Sequence, residues 1–338
     1  MEYAAELVSA GQFRVREVPR RTPAAGEVQV SVSACGICGS DIQRFRGKAR
    51  QQYPIVLGHE VSGAVSAVGA GVQEVREGDA VAVIPLVPCF HCAFCLQGDY
   101  GLCQRYTFIG SRQAGGFAST VMVPARNLMR VPDAVELQNA VLIEPLAVGA
   151  HALECARLTR TDILAILGSG SIGLCTAMMA RFRGVEQTCV WDVSADRVAH
   201  AEKLGIDARL VTAGEEQSPT ADVVVEAAGS PAALRSALSL AKAKGRIACV
   251  GTMQGDLHIP ADAWEELLRK QLTLVGVWNS YSAPFPGDAW SAALSALSND
   301  PVRTGQLITH RFRLEEAQAC FEWILDHPGR YGKIILYP

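Results

Sequence analysis

Residues 162–197 read DILAILGSGSIGLCTAMMARFRGVEQTCVWDVSADR, and the fold is decided in that stretch. DILAIL is a short apolar run of strand length, and SIGLCTAMMARFRG reads as a helix. Between them lies Gly168-Ser169-Gly170-Ser171-Ile172-Gly173, a G-x-G-x-x-G at a strand-to-helix turn, where that pattern carries a mechanism. The first glycine permits the tight turn, the second lets the backbone approach a pyrophosphate, and the third allows close helix packing. Ser171 and Ile172 open the helix, whose free N–H groups face the anion. The next strand, TCVWDV, brings Asp192 nineteen residues after Gly173. A carboxylate there accepts the adenosine ribose hydroxyls and repels a 2′-phosphate, which favours NAD, while nearby Arg197 leaves a minor NADP capacity open. A plain packing turn is the competing reading.

Outward from this unit, residues 148–283 alternate strand and helix, the pattern of a parallel sheet. SADRVAHAEKLG, PAALRSALSLAKAKG and AWEELLRKQ read as helices; ADVVVEA, GRIACVG and LTLVGVW read as strands. Residues 1–147 are Val-rich strands and turns, such as EVQVSVSA, HEVSGAVSAVGAGV and GDAVAVIPLV. From about Pro284 the alternation stops, with helices GDAWSAALSALS and LEEAQACFEWILDH and strands LITHRF and KIILYP. The chain is thus expected to be α/β, with a mostly-β part and a doubly wound parallel sheet, and to show no internal repeat.

Composition narrows the class. The chain has 338 residues, 49% of them hydrophobic and 19% charged, which excludes intrinsic disorder and allows two domains. With 31 basic and 34 acidic residues the net charge is −3 and no Lys/Arg block stands out. Nucleic acid and anionic membrane surfaces are therefore not expected as partners. No apolar run approaches the ~18 residues of a spanning helix, and Glu2 and Glu6 sit where a secretory signal carries positive charge. A cytoplasmic protein with reduced thiols is expected.

Eleven cysteines are then a puzzle. Cys89, Cys92, Cys95 and Cys103 form a tight run in PCFHCAFCLQGDYGLC. Two successive C-x-x-C steps and a fourth cysteine seven residues on satisfy tetrahedral Zn²⁺, a closed structural site, with an iron–sulfur cluster as the rival. Cys155, Cys175, Cys189, Cys249 and Cys320 read as small buried hydrophobes. Cys38, in CGSD, is different. With His59 and Glu60 in GHE, and with Glu144 in EPL, it offers a thiolate, an imidazole and carboxylate oxygens. That is a three-ligand zinc set with an open position, suited to polarising a substrate oxygen beside a nicotinamide. Any one of these residues alone reads as structural.

CGSD, GHE-x-x-G-x-V, C-x₂-C-x₂-C-x₇-C, EPL and G-x-G-x-x-G, in that order, resemble the medium-chain zinc-dependent alcohol and polyol dehydrogenases, across essentially the whole chain. The resemblance implies a GroES-like catalytic domain from residues 1–147 and 284–338, with a structural-zinc lobe at about 86–105, and a Rossmann domain from 148–283. The active site would lie in the cleft between them. It implies two zinc ions per chain: a catalytic one on Cys38, His59 and Glu144, and a structural one on the four-cysteine run. Glu60 would be an alternating ligand or a near neighbour of the metal, and Asp41 would orient His59. Ser40 would take the hydroxyl proton and pass it to the cofactor ribose. A homodimer or homotetramer is implied as well.

FIGSR followed by GGFA, with SYSAPFPG, is similar to the polyol-phosphate type within that family. Two positions depart from common members. Gln43 stands where many have a relay His, so the proton is expected to leave through water. Val277-Trp278-Asn279 replaces the Arg-Tyr pair of sorbitol-type members, which argues against free sorbitol. Arg44, Arg46, Lys48 and Arg112 are candidate phosphate partners, or solvated surface cations. The expected activity is hydride transfer from a secondary hydroxyl of a small-molecule polyol or polyol phosphate, of the galactitol 1-phosphate kind, to NAD⁺, giving the ketose. The alternatives are an NAD(P)-dependent dehydrogenase of another alcohol, sugar, cyclitol or amino alcohol, and a non-catalytic NAD-binding zinc protein.

Overall fold

A computed structural model describes residues 2–49, 51–212 and 218–338. The chain divides into two compact units, Met1–Glu144 with Tyr281–Asp288 and Leu297–Pro338, and Pro145–Ser280 with Ala289–Ala296. The division expected at 147 and 284 differs most at residues 289–296. They stay with the second unit because fully buried Trp290 donates its indole N–H to Ser280 Oγ at 3.1 Å.

The first unit is built on a mixed, mostly antiparallel sheet in the order Leu128–Arg130, Ala80–Val83, Glu60–Val68, Glu27–Gly36, Lys333–Tyr337, Ile308–Arg313. Thr120–Pro124 also pairs with Glu27–Gly36. The last strand of the chain therefore inserts beside one of the first, with Ile335 opposite Gly36 and Leu336 opposite Cys35. A hairpin of Glu2–Ser9 and Gln12–Val18 joins Ile55–Val56 in a smaller sheet. Against these sheets packs the helix Ala317–Asp326. The centre of the core is aromatic: Phe13 lies 5.5 Å from Phe45 and 4.9 Å from Phe321, and Phe117 lies 6.0 Å from Phe321.

The second unit holds a parallel sheet in the order Ala208–Leu210, Gln187–Asp192, Ile163–Leu167, Ala221–Glu226, Ala241–Cys249, Thr273–Gly276. Counted along the chain this is 3-2-1-4-5-6, the Rossmann order, with its crevice where strands one and four part. One expectation is corrected. The helix read through AKAKG ends at Leu240, and the strand begins at Ala241. Ala241 is buried opposite Ala221, and Lys242 Nζ reaches Asp222 at 3.1 Å, so sheet contacts claim residues of good helix propensity. Among the described residues no helix is long and apolar enough to cross a membrane.

Phe321, fully buried among the aromatic rings, tests the core. Phe321→Ala is expected to cost about 3–5 kcal/mol in urea denaturation. A loss below about 1 kcal/mol, the level of an ordinary substitution, would contradict the packing described.

Candidate metal and nucleotide sites

Cys38 caps the helix Gly39–Phe45, and its backbone N–H donates to Asp41 Oδ2 at 3.0 Å. Asp41 is thereby fixed, fully buried, one turn into the helix. His59 follows Gly58, whose φ of 93° lies in the left-handed region; a Cβ there would overlap Phe117 and Cys35. Glu60 begins the strand Glu60–Val68 and is 1% exposed. Its carboxylate fits because Gly36 lacks a side chain, for a Cβ at 36 would overlap Glu60 Oε2.

The ligand atoms of Cys38, His59 and Glu60 lie within 4.8 Å of one another. His59 Nδ1 faces Asp41 Oδ1 at 3.7 Å, too far for a hydrogen bond, and Phe108 packs edge-on to the ring. Glu144, in the first turn of the helix Ile143–Cys155, lies outside this group of three, although its charge is felt by His59. Ser40 is half-buried, two residues beyond Cys38. Lys333, 2% exposed, donates from Nζ to Glu60 Oε1 at 2.7 Å and to the Ile37 carbonyl at 3.2 Å. Nothing in KIILYP singled out this lysine. A cation opening an apolar strand was the available signal, and its partner becomes visible only through the pairing of Leu336 with Cys35.

The electrostatics of this pocket suit a cation. Burial lowers the His59 pKa, but Asp41 and then Cys38 and Glu144 outweigh it and push the value up to about 10. Burial pushes Glu144 up to about 7, with Glu60 and Asp41 adding to the rise and His59 and Lys333 opposing it. Asp41 Oδ1, His59 Nδ1 and Glu60 Oε2 are buried without a hydrogen-bond partner. An orphaned buried carboxylate oxygen is costly, and a divalent ion held by the Cys38 thiolate, the His59 imidazole and the Glu60 carboxylate would satisfy Glu60 Oε2. The donors match zinc.

The four-cysteine run also converges. The ligand atoms of Cys89, Cys92, Cys95 and Cys103 lie within 4.8 Å of one another, and Cys89 and Cys95 Sγ are 4.0 Å apart. Ligands at ~2.3 Å from tetrahedral zinc would stand about 3.8 Å apart. Backbone N–H groups of Cys89 and Arg105 donate to Cys103 Sγ at 3.2 and 3.4 Å and fix the sulfur in place. N–H groups of Cys95 and Gln104 bring Cys92 down to about 6, whereas burial and then Cys92 push Cys95 up to about 12. Phe285, from SYSAPFPG, packs on this lobe at 5.5 Å from both Phe90 and Tyr100.

In the second unit Gly168 has φ 97°, and a Cβ at Gly173 would overlap the Gly168 carbonyl oxygen. A Cβ at Gly170, which caps the helix Ser171–Phe182, would meet nothing within 4 Å, so the turn is open to a ligand. Asp192, 5% exposed, accepts from Ser169 N (2.8 Å) and Ser169 Oγ (3.1 Å) on Oδ2 and from Ser194 N (2.9 Å) on Oδ1. Arg197 NH1 stands 3.6 Å from Asp192 Oδ2. The carboxylate is thus bound to the glycine turn itself. Oδ2 is filled by its two hydrogen bonds, and Oδ1, with one, keeps acceptor capacity for a further hydroxyl.

Residues 24–133 match the alcohol dehydrogenase GroES-like domain, and residues 171–298 match the zinc-binding dehydrogenase domain. The chain is 36% identical over 322 residues to galactitol 1-phosphate 5-dehydrogenase of Escherichia coli K12, covering 92% of each. The crystal structure of galactitol-1-phosphate dehydrogenase from Escherichia coli superposes with TM-score 0.93 at 34% identity, covering 99% of this chain and 100% of that one. A zinc-binding dehydrogenase of Sinorhizobium meliloti 1021 bound to NADP has TM-score 0.90 at 27% identity, covering 100% and 99%. An alcohol dehydrogenase of Escherichia coli CFT073 complexed with NADH has TM-score 0.89 at 28% identity, also covering 100% and 99%.

Metal analysis separates the two clusters. Cys38→Ser is expected to lose about one zinc equivalent with little change in melting temperature. Cys95→Ser is expected to lose about one equivalent together with a marked fall in melting temperature, because binding energy at a structural site is folding energy. A metal content unchanged by either substitution would remove the corresponding site.

Proposed function

The chain belongs to the medium-chain zinc-dependent alcohol dehydrogenases, and from that membership we propose that it oxidises a secondary hydroxyl of a polyol phosphate to the ketose with NAD⁺ as acceptor. The observation that carries the reading is the convergence of half-buried Cys38 with buried His59 and Glu60, whose Oε2 lacks a hydrogen-bond partner. Zinc held there by Cys38, His59 and Glu144, with Glu60 as an alternating ligand, supplies Lewis acidity that lowers the pKa of a hydroxyl, and NAD⁺ supplies the hydride acceptor. Asp41 holds the Cys38 turn and faces the His59 ring, which leaves Nε2 as the ligand nitrogen. Lys333 occupies one oxygen of Glu60 and leaves Oε2 for the metal. Ser40 accepts the proton of the substrate hydroxyl, and with Gln43 in place of a titrating relay the proton passes on to water.

The turn of Gly168, Gly170 and Gly173, with Ser171 and Ile172 at the helix start, receives the pyrophosphate of the cofactor. Asp192 receives the adenosine ribose and disfavours a 2′-phosphate, and its contact with Arg197 limits what that arginine offers NADP. Among the candidate phosphate partners Arg44 fits best. Its Nε donates to Gln51 Oε1 at 3.2 Å, its NH1 lacks a partner, and its charge is felt by buried Asp41. Arg112 is committed to Tyr106, lying 3.8 Å over the ring and donating to its hydroxyl and carbonyl oxygens. Arg46 and Lys48 are exposed. A homodimer or homotetramer is part of the proposal. The edge strand Thr273–Gly276 and the helix Ala261–Arg269 leave Trp264, Leu268 and Leu274 exposed, a surface suited to a second copy. We place the enzyme in the cytoplasm, where thiols stay reduced.

A substrate panel tests the reading. Galactitol 1-phosphate is expected to exceed galactitol and sorbitol in kcat/KM by about tenfold or more, the scale of one charge-assisted contact. Equal values would remove the phosphate. In the same assay Arg44→Gln should raise KM for the phosphorylated substrate alone. Asp192→Asn should lower the NAD/NADP preference about tenfold; an unchanged ratio would contradict its role.

A further inference from the structure

A cluster the dehydrogenase chemistry does not use stands at the C-terminal end of the helix Ile143–Cys155. Cys155 Sγ lies 3.4 Å from Nε2 of His151, four residues earlier on the same helix face. The other ring nitrogen faces Glu154 Oε2 at 3.7 Å. Glu154 Oε1 in turn accepts from Arg183 NH2 at 2.7 Å, and the same NH2 donates to the Ala150 carbonyl at 3.3 Å. Thiol, imidazole and carboxylate thus stand in the order of a nucleophile, its base and the group that orients the base.

The Cys155 and Glu154 contacts push His151 up to about 9 against the effect of burial, so the ring carries its proton at neutral pH. A helix C-terminus disfavours a thiolate. At Cys155 the group facing the sulfur is the Nε2 of His151. Cys155 is half-buried and the His151 side chain is 23% exposed, so the pair borders solvent. The remaining cysteines are differently placed. Cys38, Cys89, Cys92, Cys95 and Cys103 belong to the two metal groups, and Cys35, Cys175 and Cys320 are buried. Cys189 and Cys249 are half-buried, but burial raises both pKa values, and Asp207 and Glu226 respectively add to the rise.

We propose that Cys155 is a reactive thiol, the site at which small soft electrophiles modify this chain outside its metal groups. Its thiolate sulfur attacks the electrophilic carbon, the C–S bond forms as the bond to the leaving group breaks, and the leaving group departs with that electron pair. The thiol proton remains on His151.

The test uses the zinc-loaded full-length enzyme, substoichiometric iodoacetamide at pH 7, and peptide mass spectrometry. Cys155 is expected to be carboxamidomethylated at least about tenfold faster than Cys189 or Cys249, with iodide released. His151→Gln should slow Cys155 labelling about tenfold while Cys189 labelling and circular dichroism stay unchanged. Glu154→Gln, at an exposed position, should slow it less and gives the same readout if the first variant fails to fold. Faster labelling of Cys189 or Cys249, or a Cys155 rate that neither variant changes, would overturn the proposal.

Discussion

Cys38, Asp41 and Glu144 bring three acidic or thiol groups within electrostatic reach of His59, Glu60 stands beside them, and Lys333 donates to Glu60 Oε1. Much of the first unit is arranged around that cluster. Three acceptor or ring atoms are left without hydrogen-bond partners in a buried volume, and of these Glu60 Oε2 is the one a cation beside Cys38 and His59 would occupy. The backbone makes room at two glycines. Gly36 lies beneath the Glu60 carboxylate, and Gly58 turns the chain so that His59 faces inward past Phe117. The terminal strand must pair with Glu27–Gly36 for Lys333 to arrive at all. The placement of these candidate ligands and the topology of the sheet are therefore one constraint at this point.

The second unit is shaped by a different requirement, an open glycine turn at a helix start. Close packing at Gly173 and open space at Gly170 leave a helix N-terminus facing outward. Asp192 is tied to that turn through Ser169, so the residue proposed to read the ribose and the loop proposed to take the pyrophosphate form one hydrogen-bonded piece.

Legibility in the sequence followed locality. The glycine turn, Asp192 and the four-cysteine run are short-range patterns, and each converges within its own segment. Cys38, His59 and Glu60 were readable as donor types, but their approach depends on long-range sheet pairing. Lys333 and Gly36 could not be found from spacing, because one carries an ordinary strand-opening charge and the other lacks a side chain. The helix end at Leu240 was hidden by alanines and lysines that favour helix until Ala241 is claimed by Ala221. Trp290 was assigned by position along the chain, whereas its buried indole contact with Ser280 sets its unit.

The central claim is that the Cys38–His59–Glu60 pocket holds zinc. Diffraction from crystals of the zinc-loaded enzyme at wavelengths on either side of the zinc absorption edge tests it most directly. The account predicts two anomalous peaks per chain, one among Cys89, Cys92, Cys95 and Cys103 and one within ligand distance of Cys38 Sγ and His59 Nε2. A single peak at the four-cysteine lobe, with none beside Cys38 in fully active enzyme, would contradict it.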